Sequence, residues 1–145
     1  MPFLDTNVFL RYLTADDPIK AKATYALFQQ LKAGRVQATT SEVVIAEVCY
    51  VLSSRAHFNL HPHEIQARLQ PVVTVKGLKL PSRRRLLRAL DVYARYPSLD
   101  FEDALIAAQM EQSGISTLVS YDRGFDKLGW ITRVEPEAKD GRKAA

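Results

Sequence analysis

The chain has one cysteine, Cys49, so no disulfide can form within it. Such a sequence reads as cytosolic, where thiols stay reduced. No apolar run reaches the roughly 20 residues of a membrane-spanning helix, so no membrane association is expected. The opening MPFLDTN lacks a basic stretch and meets an acid at Asp5, so it does not read as a signal peptide. Internal repeats and low-complexity tracts are absent. Extreme charge is lacking too: a net +4 permits nucleic acid as a partner without demanding one. The three histidines, His57, His61 and His63, have no standard zinc spacing and no cysteine pair beside them. They read as loop residues beside a helix start, and Cys49 reads as a core residue.

What is present is ordinary material for one globular domain. The 145 residues are 47% hydrophobic and 25% charged, enough for a sizeable core. The domain is expected over residues 1–136, with a polar, charged tail at 137–145 expected to be disordered. Pro2 to Leu4 reads as a short strand ending at Asp5. Asp17 and Pro18 open a helix that Gly34 closes, with Ala21, Tyr25, Phe28 and Leu31 at helical spacing. Val36 to Thr39 reads as a strand. Ser41 caps a helix carrying Val44, Val48, Val51 and Leu52 on one face. A further helix lies between Phe58 and Val73, opened by Pro62 and stopped near Pro71, and Val72 to Leu78 reads as a strand. Ser82 caps a basic helix running to about Tyr96. Asp100 starts a helix that ends at Gly114. Thr117 to Ser120 is a strand, Asp122 to Leu128 a turn region, and Trp130 to Val134 a last strand. Strands alternating with helices predict an α/β fold, with a mostly parallel sheet covered on both faces. Ligands of such sheets sit at the carboxyl ends of the strands.

Four acids stand out against that frame: Asp5 in FLDTNVFLRYL, Glu47 in SEVVIAEVCYVL, Asp103 in LDFEDALIAA and Asp122 in TLVSYDRGFDKL. Burying an unpaired charge is costly, so acids in apolar or element-ending surroundings need a use. Asp5 and Asp122 follow strands and fall on the ligand-binding edge, though each also fits an ordinary turn. Glu47 sits at the edge of an apolar stripe, where a lysine or arginine could equally hold it; Glu42 reads as a first-turn acid. Asp103 shares a face with Ile106 and Met110, a stripe expected to face the core. With Asp100 it also resembles a capping box. Periodicity does not exclude Glu102, and Asp126 is a second candidate beside Asp122. Clustered carboxylates are the oxygen ligands that Mg²⁺ or Mn²⁺ prefers, and such a site can activate water against a phosphodiester.

Arg83, Arg84, Arg85 and Arg88 lie in one helix, with Lys76, Lys79 and Arg95 nearby. They form either a phosphate-contacting ridge or a solvated helix face. Tyr12, Tyr121 and Phe58 are suited to stacking on unpaired bases or to packing in the core.

With these residues in place, the chain resembles PIN-domain ribonucleases, and specifically the VapC toxins of type II toxin–antitoxin pairs. The resemblance rests on the opening hydrophobic-Asp-Thr-Asn, the mid-helix glutamate of VVIAEVCYVL, the DFEDALIAA segment and the Ser-x-Asp-x-x-Phe of SYDRGF. It covers roughly residues 3 to 134. It implies a three-layer sandwich and makes Asp5, Glu47, Asp103 and Asp122 the metal-site acids. Thr6 and Ser120 match supporting hydroxyl positions, the latter often threonine in the family. Asn7 completes the Asp-Thr-Asn, and Asp100 matches a frequently acidic position. The resemblance implies a Mg²⁺- or Mn²⁺-dependent endoribonuclease leaving 5′-phosphate and 3′-hydroxyl ends. Its implied partners are RNA, a VapB-like antitoxin and a second copy in a homodimer. A PIN nuclease of RNA maturation without an antitoxin is the alternative. A receiver-like signalling module with an acidic pocket would need a lysine after a late strand, where the chain has Asp122 and only later Lys127.

Overall fold

The computed structural model describes residues 1–137, so the expected tail lies, apart from Glu137, outside the described residues. The chain begins as an extended segment, Pro2 to Leu4. The Leu4 N–H donates to the Thr39 carbonyl at 2.8 Å, and the Thr39 N–H donates to that of Pro2 at 2.9 Å. This lays Phe3 parallel to β1 (Ala38–Thr39). Thr40, buried, donates from Oγ1 to the Leu4 carbonyl at 2.7 Å and so fixes the end of the segment just before Asp5.

Thr6–Thr14, to which the sequence pattern assigns no element, is helix α1. Its asparagine and β-branched residues favour a helix only weakly. Tertiary packing decides instead: Tyr12 stacks on Phe28 with ring centroids 4.2 Å apart, and Phe9 packs tilted against it at 5.7 Å. Helix α2 (Pro18–Lys32) starts as expected, the Asp17 side chain accepting from the Lys20 N–H and Pro18 standing in the first turn. Of its expected inward residues Phe28 and Leu31 are buried, while Tyr25 points to solvent.

Helix α3 (Glu42–Ser53) is capped by Ser41 and buries Val44, Ile45, Val48, Cys49 and Leu52. Helix α4 (Pro62–Val73) runs through Pro71 rather than stopping there. Pro71 is exposed, so its ring meets solvent, and only one backbone bond is forfeited in the last turn. Val72 and Val73 are therefore helical, and the strand expected there shrinks to β2 (Leu78–Lys79). Gly77 makes β2 possible, since a Cβ on it would stand 2.3 Å from the Val36 carbonyl oxygen. Its N–H donates to Leu31 and its carbonyl accepts from Ala38.

Helix α5 (Arg83–Arg95) buries Leu86, Ala89, Leu90, Val92 and Tyr93. It packs between α4 and α6 (Phe101–Ser113). Asp100 caps α6 and Gly114 ends it with φ 69°. β3 (Thr117–Val119) and β4 (Thr132–Val134) pair in parallel, Leu118 opposite Arg133, across a 3-10 turn at Arg123–Lys127.

The architecture is thus mixed α/β, as expected, and among the described residues both strand pairs run parallel. The described residues hold their strands as two separate pairs, β1 with β2 and β3 with β4. No helix among them is long and apolar enough to cross a membrane.

Candidate active site

Asp5 leaves the first extended segment and caps α1, its carboxylate accepting from the Thr6 N–H at 2.6 Å. Asp5 and Asn7 are exposed and Thr6 half-buried. At the other strand pair, the Asp122 N–H donates to Ser120 Oγ at 3.0 Å, and the Asp122 carboxylate accepts from the Gly124 N–H at 2.8 Å. Both aspartates are therefore held by local backbone bonds, and the Ser120 hydroxyl accepts from the backbone of Asp122.

Asp103 sits in the first turn of α6, half-buried, its N–H donating to the Asp100 carboxylate at 2.8 Å. Burial, then the charges of Asp100 and Asp122, push the Asp103 carboxyl up to about 6. Asp100, Asp103 and Asp122 thus feel one another across the start of α6 and the end of β3. Asp103 does not share a core stripe with Ile106, which is 43% exposed; the core face of α6 is Phe101, Ala104, Ala107, Ala108 and Met110. Asp103 instead borders that face.

Glu47 is exposed on α3 and lines a groove of about 470 Å³ facing α6, together with Glu42, Val43, Glu102 and Ile106. Sequence spacing left Glu102 open, and the groove places it opposite Glu47.

Charge pairing separates the candidate acids from Glu42 and Asp126, but not from Asp100 and Glu102, which have no salt bridge among the described residues either. Among the described residues, salt bridges hold Asp16 to Arg11, Glu42 to Arg85, Asp91 and Glu111 to Arg88, and Asp126 and Glu135 to Arg133. None of Asp5, Glu47, Asp103 or Asp122 has such a partner there. Glu42 and the alternative Asp126 are thereby held by arginines, and Arg133 holds the Asp126 carboxyl below the usual range. Four unpaired carboxylates offer only oxygen donors, a set suited to a hard divalent cation. The mutual repulsion at Asp103 is what such a cation would relieve. No group of three or more histidine, cysteine or acidic side chains among the described residues stands ready to hold an ion together.

The basic helix is largely committed elsewhere. Arg83 donates to the carbonyls of Val73 and Leu78. Arg85 clasps Glu42, and Arg88 binds Glu111 and Asp91 with its guanidinium 4.9 Å from the Trp130 ring centre. Arg84 is exposed. His57 bonds Ser54 outside the helices, His61 is the N-cap of α4 and its N–H donates to Glu64, and His63 lies in the first turn of α4 rather than in a loop. Tyr12 is packed on Phe28, whereas Tyr121 is exposed.

The fold is a mixed α/β domain, and comparison with known proteins shows its family. The PIN domain family model matches residues 3–131, and the chain belongs to that family. Over 137 residues it is 32% identical to a VapC ribonuclease of Mycobacterium bovis and to ribonuclease VapC13 of Mycobacterium tuberculosis, covering 92% of this chain and 99% of each relative. It is 24% identical over 132 residues to a VapC ribonuclease of Aquifex aeolicus, covering 91% of this chain and 95% of that one.

Proposed function

We propose that the chain is a metal-dependent endoribonuclease, the toxin of a VapBC-type pair. The observation that carries this reading is that Asp5, Glu47, Asp103 and Asp122 have no salt-bridge partner among the described residues, while Glu42 and Asp126 near them are each held by an arginine. Kinship with VapC ribonucleases along nearly the whole chain supports it.

On this reading Asp5, Glu47, Asp103 and Asp122 hold Mg²⁺ or Mn²⁺. The bound ion supplies an activated water and neutralises charge on the scissile phosphate. The chain's own residues do the positioning. Thr6 and Ser120 orient Asp5 and Asp122 through the backbone bonds described above. Asn7 completes the Asp-Thr-Asn beside Asp5. Asp100 fixes the first turn of α6 and keeps negative charge against Asp103. Binding an ion gathers acids that do not form a ligand group on their own. The products carry 5′-phosphate and 3′-hydroxyl ends.

The finer architecture belongs to the same proposal. Residues 1–136 form one three-layer sandwich, in which both parallel pairs belong to a central sheet with helices on each face. Asp5 and Asp122 then leave the same edge of that sheet. The protein works in the cytoplasm as a homodimer, and a VapB-like antitoxin restrains it. The test is incubation of the purified chain with total RNA in Mg²⁺ or Mn²⁺ and in EDTA. Cleavage in metal and none in EDTA supports the reading; equal cleavage in both, or none in either, refutes it.

A further inference from the structure

Asp122 rides on a short loop, and Arg133 of β4 holds that loop at both ends. Before Asp122, Arg133 Nη1 donates to the Ser120 carbonyl at 2.9 Å. After it, Nε and Nη2 donate to the two oxygens of Asp126, at 2.8 and 3.3 Å. Nη1 also donates to Glu135 at 2.8 Å, outside the loop. The Arg133 side chain is only 10% exposed, so salt and water screen these bonds little. A guanidinium presents its donors as a rigid planar fork, which sets the spacing of the groups it binds; a lysine ammonium has no such fork.

The loop is also held from the side of α6. Ser98 Oγ donates to the Gly124 carbonyl at 2.9 Å. The approach is close: a Cβ on Gly124 would stand 2.6 Å from the Ser98 carbonyl oxygen. Ser98 lies two residues before Asp100, the cap of α6. These contacts join the stretch that carries Asp122 to the one that carries Asp103. A ligand of a metal site has to be held to within about 0.5 Å by such supporting bonds.

We infer that Arg133 is a positioning residue for Asp122, fixing residues 120–126 so that the Asp122 carboxylate stands at the start of α6. The inference rests on the proposed metal site for what Asp122 does there. It also gives Asp126 a role: this acid anchors the loop and leaves the cation to its neighbour.

The test compares wild type with Asp126→Asn, Arg133→Lys and Glu135→Gln in three readouts. These are amide exchange at Asp122 and Gly124 without metal, Mn²⁺ binding by calorimetry, and melting temperature. Asp126→Asn and Arg133→Lys are expected to speed exchange at both amides about tenfold or more, the scale of a lost hydrogen bond to a charged group. Both should weaken Mn²⁺ binding about tenfold or more, the cost of losing a group that orients a ligand. Glu135→Gln removes a bond from the same guanidinium outside the loop, and should keep exchange and binding within about twofold of wild type. Equal effects of Asp126→Asn and Glu135→Gln, in step with their melting temperatures, would overturn the inference and make Arg133 a brace of β4. So would wild-type exchange and Mn²⁺ binding in Asp126→Asn and Arg133→Lys. Mn²⁺ bound by wild type without cleavage of RNA would instead sink the ribonuclease reading and leave the role of Arg133 at the metal site standing.

Discussion

Arg85 holds Glu42 by both carboxylate oxygens, Nε at 2.5 Å and Nη2 at 3.0 Å, and so ties α5 to the start of α3. Glu47, further along the same helix, has no such clasp. Of these two glutamates of α3, one is paired within the fold and the other has no salt bridge among the described residues, the division on which the proposed metal site depends. Glu42→Gln should lower stability by about 1 kcal/mol, the scale of a half-exposed bidentate pair, and keep most of the activity. Glu47→Gln should leave the melting temperature unchanged and cut activity about a hundredfold or more. Denaturant titration and RNA cleavage on the same two variants check the division.

Asp103 carries a pH signature. Its carboxyl titrates at about 6 in the fold, against about 4 in an unfolded chain. A raised acid contributes stability that is full below the ordinary value and lost as pH climbs through the folded one. The metal-free protein should therefore lose stability between about pH 4 and pH 6. Asp103→Asn should flatten that segment of the curve. Melting temperatures across the range, in EDTA, decide it.

Ser120 should matter through its oxygen. Ser120→Ala removes the acceptor of the Asp122 N–H and should lower activity about tenfold, the usual cost of losing a group that orients a ligand. Ser120→Thr keeps the hydroxyl and should keep activity. Equal losses in both variants would assign Ser120 to packing instead.

Phe28 tests what holds Asp5 in place. It is fully buried, stacks on Tyr12 and packs tilted against Phe9, both of α1. Phe28→Ala should cost about 3–5 kcal/mol. Loss of α1 packing should disorder the Asp5 cap and remove activity before the whole domain unfolds. Hydrogen exchange at the α1 amides, followed beside activity, would show it.

Much of this was legible in the residues because its causes are local. Asp17–Pro18, Ser41 and Asp100 mark helix starts by hydrogen-bonding chemistry that acts within three residues, and each cap is where that chemistry puts it. Gly114 marks an end for the same reason. What stayed hidden depends on partners far along the chain. Helix α1 is weak in its own propensity and forms against Phe28. Pro71 sits in the last turn of α4, where a missing donor costs little. Strands of two or three residues carry no alternation to read. The outward turn of Ile106 follows from which face of α6 meets α5. At the candidate site the four acids were legible as types in a pattern. The rival Asp126 could be set aside only once Arg133 was seen to hold it, whereas Glu102 stays without a salt bridge among the described residues, in the groove with Glu47.

The central claim is that these acids form a metal-dependent nuclease site. The most direct measurement is cleavage of RNA by wild type and Asp5→Asn, purified identically and assayed with Mg²⁺ and with EDTA. Asp5 lies on the surface and caps α1 through a bond that asparagine can also accept, so the variant should fold. Cleavage by wild type in Mg²⁺ alone, lost in Asp5→Asn at an unchanged melting temperature, is the expected result. Equal cleavage by both proteins, or cleavage that persists in EDTA, would contradict it.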